Sequence, residues 1–229
     1  MTSRTQVKFQ LYDMDGKAIT ASGGVVYVAA TEDAAKNAIT DKDGTALTNP
    51  RALTAGGCEF WVLATVAEVD LYIQAPGGQF IVVPDVVPGT IQNIKVDTAQ
   101  RNQTYIIPFS ISDTSAATET DTGFDVPAAS FVLDRLHGMG IRQLTADATE
   151  TIDVGLLSTE TGGDANGFNA AAALDATPLM LVGTNGALFS SNAPHASDFN
   201  VSKSISYTLT AGTDTAEGFI ILPILLTAT

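Results

Sequence analysis

Cysteine is nearly absent. Cys58 stands alone in 229 residues, so no disulfide can form within one chain. Stability must then come from buried apolar area. Histidine is almost as scarce, with only His137 and His195. A Ser/His/Asp site would need one of them as its base, yet there is no G-x-S-x-G elbow, and Cys58 precedes a strand with no histidine nearby. No G-x-x-x-x-G-K-S/T phosphate loop is present. His137 beside Gly138-Met139-Gly140 and His195 between Pro194 and Ala196 read as loop residues. The chain therefore reads as non-enzymatic, with no cofactor.

Positive charge is also in short supply. The chain has 11 Lys/Arg against 25 Asp/Glu, a net charge of −14. Residues 1–101 hold eight Lys/Arg and eleven Asp/Glu (−3), and residues 102–229 hold three and fourteen (−11). The cations of the second part are Arg135, Arg142 and Lys203. So acidic a surface is repelled by phosphate backbones, which argues against nucleic acid as a partner. Charged residues make up 16%, against the ~25% usual for soluble domains, and Ala, Thr, Ser and Gly take their place. Long apolar runs are missing too. The longest, Phe219 to Leu226, is broken by Pro223 and is too short to cross a bilayer as a helix. The opening MTSRTQVKFQLYDMDG has no apolar h-region, so no membrane step through a signal of its own is expected.

What is abundant is turn chemistry. Residues 38 to 57, AITDKDGTALTNPRALTAGG, hold an Asp-Gly turn (Asp43-Gly44), a short apolar step (Ala46, Leu47), an Asn-Pro break (Asn49-Pro50) and a Gly-Gly turn (Gly56-Gly57). That density separates short β-strands. Around it lie period-2 segments. Val7, Phe9 and Leu11 alternate with Lys8, Gln10 and Tyr12, and further strands are expected at 24–29, 60–66, 70–75 and 80–83. Ile91 to Val96 alternates as well. One helical turn fits 32–38. Residues 84 to 104 read as a connector, interrupted by Pro84, Pro88 and Gly89, which places a domain boundary at about residue 99: an N-terminal β-domain, 1–99, and a C-terminal domain, 100–229.

In the second part, strands are expected at 105–111, 131–136, 141–145, 151–158, 179–182, 187–189, 201–209 and 219–226, with a single two-turn helix over 168–176. Val201, Ile205, Tyr207 and Leu209 share one face and Ser202, Ser204, Ser206 and Thr208 the other. The fold class is all-β: a small N-terminal β-sandwich or barrel, then an antiparallel, jelly-roll-like β-sandwich.

Candidate sites are few. Asp13/Asp15 and Asp41/Asp43 each precede a glycine, but an EF-hand calcium loop needs that glycine at its sixth position and an acid at its twelfth. Here glycine falls fourth and Gly24 or Ala52 twelfth, so D-x-D-G reads as a turn and no metal site is expected. The loop Gly162-Gly163-Asp164-Ala165-Asn166-Gly167 has too few acids and reads as a tight surface loop. Trp61, the one tryptophan, sits in EFWVLATV and is expected in the core, while the five tyrosines form no cluster.

Phe219 to Leu226 differs, being apolar on both faces. Either the strand is covered on both sides or one face meets another subunit, and Pro223 points to an edge or bulge. Phe219, Ile220, Ile221, Leu222, Ile224 and Leu226 are the candidate oligomer interface.

The segment 38–57 resembles one that recurs in small β-domains of tailed-bacteriophage virion proteins, through Ile39, Asp41, Gly44, Thr45, Ala46, Leu47, Asn49, Pro50, Leu53, Gly57 and Phe60. The step Gly123-Phe124-Asp125-Val126-Pro127 before Phe131-Val132-Leu133-Asp134, and TIDVGLLS (151–158) before Gly162-Gly163-Asp164, are similar to segments of phage capsid-associated proteins. This resemblance, over about half the chain, implies a capsid decoration (cement) protein on the capsid exterior. Such a protein is made in the host cytoplasm, bridges subunits of the major capsid protein lattice and is most naturally a homotrimer. The less acidic N-terminal domain is the expected anchor, through cations such as Arg4, Lys8, Lys36, Lys42 and Arg51. The N-terminal pattern also occurs in tail fibres, which keeps a head- or tail-fibre adhesin for host glycans as the alternative.

Overall fold

The computed structural model describes residues 3–31, 34–98, 102–110, 118–133, 139–145, 151–174, 180–181, 184–185, 188, 199, 201–209 and 217–226. Among them there is no helix, and the fold is all-β. Apart from Asp33–Ala35, the chain divides into two compact units between Gln100 and Arg101.

The first unit comprises β1 (Arg4–Asp13), β2 (Val25–Ala30), β3 (Arg51–Ala52), β4 (Gly57–Leu63), β5 (Val69–Gln74), β6 (Phe80–Val86) and β7 (Ile91–Val96). They form two sheets, β4-β1-β7 and β3-β2-β5-β6, antiparallel except for β1 with β7. Alternation sets the inward faces. Val7, Phe9 and Leu11 of β1 and Phe60 and Val62 of β4 meet Val26, Val28, Leu71 and Ile73 in one core. Central strand β5 is buried along its whole length. Edge strand β6 carries Pro84 and, at φ 55°, Asp85, features that blunt an exposed edge.

The turn-rich segment owes its shape to side chains standing in for backbone. Asp41 Oδ1 accepts the N–H groups of Asp43 (2.9 Å) and Thr45 (2.8 Å), while Gly44 adopts φ 94°. The Thr45 N–H leads the interactions that hold the Asp41 carboxyl below its usual range. At the Asn49-Pro50 break the Asn49 amide acts like a strand residue. Its Nδ2 donates to Val28 O (2.7 Å) and its Oδ1 accepts Val28 N–H (3.0 Å).

The second unit comprises β8 (Asn102–Ser110), β9 (Glu119–Val126), β10 (Ser130–Val132), β11 (Gly140–Thr145), β12 (Thr151–Leu156), β13 (Asp164–Ala173), β14 (Met180–Leu181), β15 (Thr184–Asn185), β16 (Lys203–Leu209) and β17 (Glu217–Leu226). In one sheet β17 lies between β8 and the consecutive pieces β10 and β11, with β14 beyond β11; the other runs β9-β16-β12-β13-β15. With β10/β11 as one interrupted strand and β15 as an addition, eight strands visit the sheets as one, two, one, two, two, one, two, one. That winding is the jelly roll. The sheets face each other through Phe109 and Tyr207, whose rings lie 5.9 Å apart, and through Gln143 Nε2, which donates to Leu174 O at 2.9 Å.

Two of the recognised segments have plain structural work. Phe124 and Val126 of the Gly-Phe-Asp-Val-Pro step point into the core from β9, and Ile152, Val154 and Leu156 do so from β12. Gly155 lies against the bulged start of β13, where a Cβ would collide with the Asp164 carbonyl.

Several expectations are corrected. Residues 168–173 are strand, not helix: Phe168 and Ala172 fill the core, Asn169 pairs with Val154 and Asn185, and Ala171 N–H donates to Asp153 Oδ1 at 2.7 Å. Sheet pairing overrides the weak preference of alanine for helix. Residues 34–38 form no helical turn, and Lys36 bridges Ala29 instead. Of the strand expected at 187–189 only Leu188 is among the described residues, and it sits in a turn; β15 at Thr184–Asn185 was not anticipated. β9 was not anticipated. Finally, β17 is central, not an edge.

The position of Pro223 explains why a central strand tolerates it. Its carbonyl accepts Leu133 N–H (2.9 Å) on the side of β10 and β11. In an antiparallel ladder a residue's N–H and C=O point to the same side. The missing donor therefore faces the interval between Val132 and Gly140, where β10 has ended and β11 has not begun.

Candidate functional site

The expected interface residues divide between two faces of β17. Ile220, Leu222 and Ile224 are 1%, 0% and 1% exposed and belong to the jelly-roll core. Phe219, Ile221, Pro223 and Leu225 face outward, opposite Pro108, Ile106, Thr104 and Asn102 of β8. Phe219 is largely covered, Ile221 and Pro223 are half-buried, and Leu225 is 36% exposed beside half-buried Phe131. Leu226, at the strand end, is half-buried. The outward face is thus apolar along β17 from Phe219 to Leu225 and at Ile106, Pro108 and Phe131, while Asn102 and Thr104 of β8 and Arg142, opposite Phe219, are polar.

The outer face of the other sheet is acidic and serine-rich. Glu119 accepts the Ser158 N–H (2.9 Å) and the hydroxyls of Ser158 and Ser206. Burial works against its ionisation, but these donors prevail and hold the carboxyl below its usual range. Asp125 is the opposite case. Burial pushes its carboxyl up, the hydroxyls of Ser202 and Ser204 (3.2 Å each) only partly compensate, and Asp121 and Glu160 add repulsion. An acid whose folded-state pKa is raised costs stability once ionised. The cost is absent at low pH and appears as pH rises through the carboxylate range. Asp125→Asn is accordingly expected to raise the melting temperature of this unit at pH 7, and the gain should shrink toward pH 4. Thermal melts of both proteins across that range check it, and an equal or lower melting temperature for the variant at pH 7 would refute it.

In the first unit the outward face of β4-β1-β7 holds the side chain whose placement departs most from expectation. Trp61 is not in the core. Phe60 and Val62 take the inward positions, and Trp61 shares the outward face with Glu59 and with Leu63, which is 42% exposed. Trp61 lies opposite Gln6, whose Nε2 donates to Glu59 Oε1 at 2.7 Å, and Lys8 Nζ lies 3.9 Å from Glu59 Oε2. Beside this row a groove of about 290 Å³ opens over Gly57, walled by Lys8 and Gln10 on one side and Arg51 and Thr54 on the other, with Glu59 at one end. Sequence reasoning missed this site because Lys8 meets Glu59 only through the register of β1 with β4, and Arg51 comes from β3 in the other sheet.

The remaining candidates add no chemistry. Asp13 behaves as Asp41 does, its Oδ1 accepting Lys17 N–H at 2.8 Å. In the loop after β12, Gly163 N–H donates to Glu160 O (2.8 Å) and Gly162 takes φ 75°, which is turn geometry. No group of three or more His, Cys, Asp or Glu suited to a metal ion occurs among the described residues. His137 and His195 lie outside them. No helix among the described residues is long and apolar enough to cross a membrane.

No protein-family model matches the chain, and no curated protein matches it. Among solved structures it is similar to BcpA, the major pilin subunit of Bacillus cereus, and to a variant of BcpA, each at 12% identity and a TM-score of 0.23. The alignments cover 98–99% of this chain and 59–60% of theirs, so the chain spans about three fifths of their length. A likeness at that TM-score carries no argument about role.

Proposed function

We propose that this chain is a virion structural protein of a tailed bacteriophage: a capsid decoration (cement) protein that sits on the capsid exterior and stabilises the head lattice. Its work is done by buried interface area and not by catalysis. The observation that carries the reading is the outward apolar stripe of β17 and its neighbours on a jelly-roll sheet, a strip of Ile106, Phe131, Phe219, Ile221, Pro223 and Leu225. A second copy is the occupant that suits it. The outer face of the opposite sheet carries Glu119, Asp121 and Asp125, so at a net −14 two copies repel through most surfaces and associate best through a face whose charges among the described residues, Arg142 and Glu217, sit at one end. Burying ~300 Å² of apolar surface in each contact is worth roughly 7 kcal/mol before association costs, and closed threefold symmetry repeats that contact. The partner on the particle is the major capsid protein lattice, reached through the less acidic first unit.

The proposal predicts a trimeric mass by light scattering at micromolar concentration. It also predicts saturable binding to emptied heads, with copies in fixed ratio to capsomers. A monomeric mass would sink the trimer, and a few copies per particle would favour the adhesin reading. The outward placement of Trp61 is the specific observation in favour of that second reading.

A further inference from the structure

We propose that the groove over Gly57 in the first unit binds an acidic saccharide, with a carboxylate between Lys8 and Arg51 and hydroxyl groups against Gln10, Thr54 and Glu59. The proposal does not depend on the decoration role.

The walls are polar and set in advance. Gln10 Nε2 donates to the carbonyls of Leu11, Ile19 and Ala55 (3.1–3.2 Å), which leaves its Oε1 over Gly57, where a Cβ would lie 2.7 Å from it. Glycine at that position keeps the floor open. Arg51 reaches the groove from β3, in the other sheet of this unit. The Glu59 carboxylate is steadied by Gln6 and Lys8. Donors (Lys8, Arg51, Thr54) and acceptors (Gln10, Glu59) thus both line the opening, as hydroxyl groups require. Two cations against one acid leave a net positive site in a strongly acidic chain.

Of the apolar side chains of the lining, Phe9 and Cys58 are buried in the core and only the Ala52 methyl is exposed, so the anchor residue of a protein partner finds little to fill here. Trp61 is not part of the lining, but it lies two residues beyond Glu59 on the same strand face, a spacing of ~7 Å, close enough to report on the groove. The volume, about 290 Å³, is at the small end of ligand clefts and suits a sugar unit, not a peptide segment.

Trp61 is the sole tryptophan, so the emission of the full-length protein reports this face alone. Titration with D-glucuronate should give a saturable change with a dissociation constant on the order of 1 mM. Neutral D-glucose should bind about fivefold or more weakly for want of the charge-assisted contacts. Arg51→Gln should remove that preference while calorimetric melting shows the fold intact. Thr54→Val, a milder change, should weaken both sugars. The proposal is overturned if glucuronate produces no saturable change, if Arg51→Gln binds as wild type does, or if N-acetylaspartate amide matches glucuronate. That last result would assign the groove to an acidic side chain of a protein partner.

Discussion

Leu222→Asp abolishes folding of the C-terminal unit, whereas Ile221→Lys and Leu225→Lys leave it folded: this is the expected result of substituting along β17, with circular dichroism and urea melts as the measurement. Leu222 is fully buried and Ile220 is 1% exposed, both on the inner face of a strand paired on each side. Truncating a buried leucine costs ~2–5 kcal/mol, and a carboxylate placed there without a partner adds several more. The sum rivals the ~5–15 kcal/mol that a domain has in total. Ile221 and Leu225 point the other way and are half-buried and 36% exposed. A lysine there can lay its stem along the sheet and keep its ammonium in water, at a cost of ~1 kcal/mol or less to folding. If the outward stripe joins copies, the same two lysines should convert the oligomer to folded monomer. Leu222→Asp that melts like wild type would mean the strand phase is wrong. Ile221→Lys/Leu225→Lys with an unchanged oligomeric mass would move the subunit contact elsewhere.

How much of this was legible in the sequence depended on alternation and charge. Strand β1 could be read from Val7, Phe9 and Leu11 because its other face is polar and sits in water. β12 and β16 were legible for the same reason. β17 could be found but not placed, since a strand apolar on both faces gives no phase until its neighbours are known. β13 was misread because Ala170 to Ala173 carry no period, and two register shifts break what alternation there is. β9 was hidden by its composition. Glu119, Asp121 and Asp125 face outward in a strand interrupted by a register shift opposite Ser204 and Ser206. Trp61 could have been placed correctly. Cys58, Phe60 and Val62 share one parity and Glu59, Trp61 and Leu63 the other, so the acid fixed the phase and the size of the indole misled. The groove beside it was out of reach, because Lys8 is far from Arg51 and Glu59 in the chain and the three are joined from two different sheets.

A fragment of residues 101–229 should fold alone and unfold in a single cooperative step. The jelly roll contains its own core: Tyr105, Phe109, Phe124, Ile141, Ile152, Phe168 and Leu222 are buried, and every strand of its two sheets pairs with another strand of the same unit. The hydrophobic cluster of the first unit lies wholly between Val7 and Val96 and uses none of these residues. Independent cores imply independent cooperativity, and the expected stability of such a domain is ~5–15 kcal/mol with a urea slope of ~1–3 kcal/mol per molar. The −11 carried by residues 102–229 adds a second signature. With few cations to offset it, the fragment repels itself at low ionic strength, so its urea midpoint should rise as salt is added to ~0.15 M, where charges beyond ~8 Å are screened. A fragment that shows no cooperative transition, while the whole chain shows one, would mean that the jelly roll draws its stability from the first unit. A salt-independent midpoint would leave the fold argument standing but remove self-repulsion as the reason that the charge split matters.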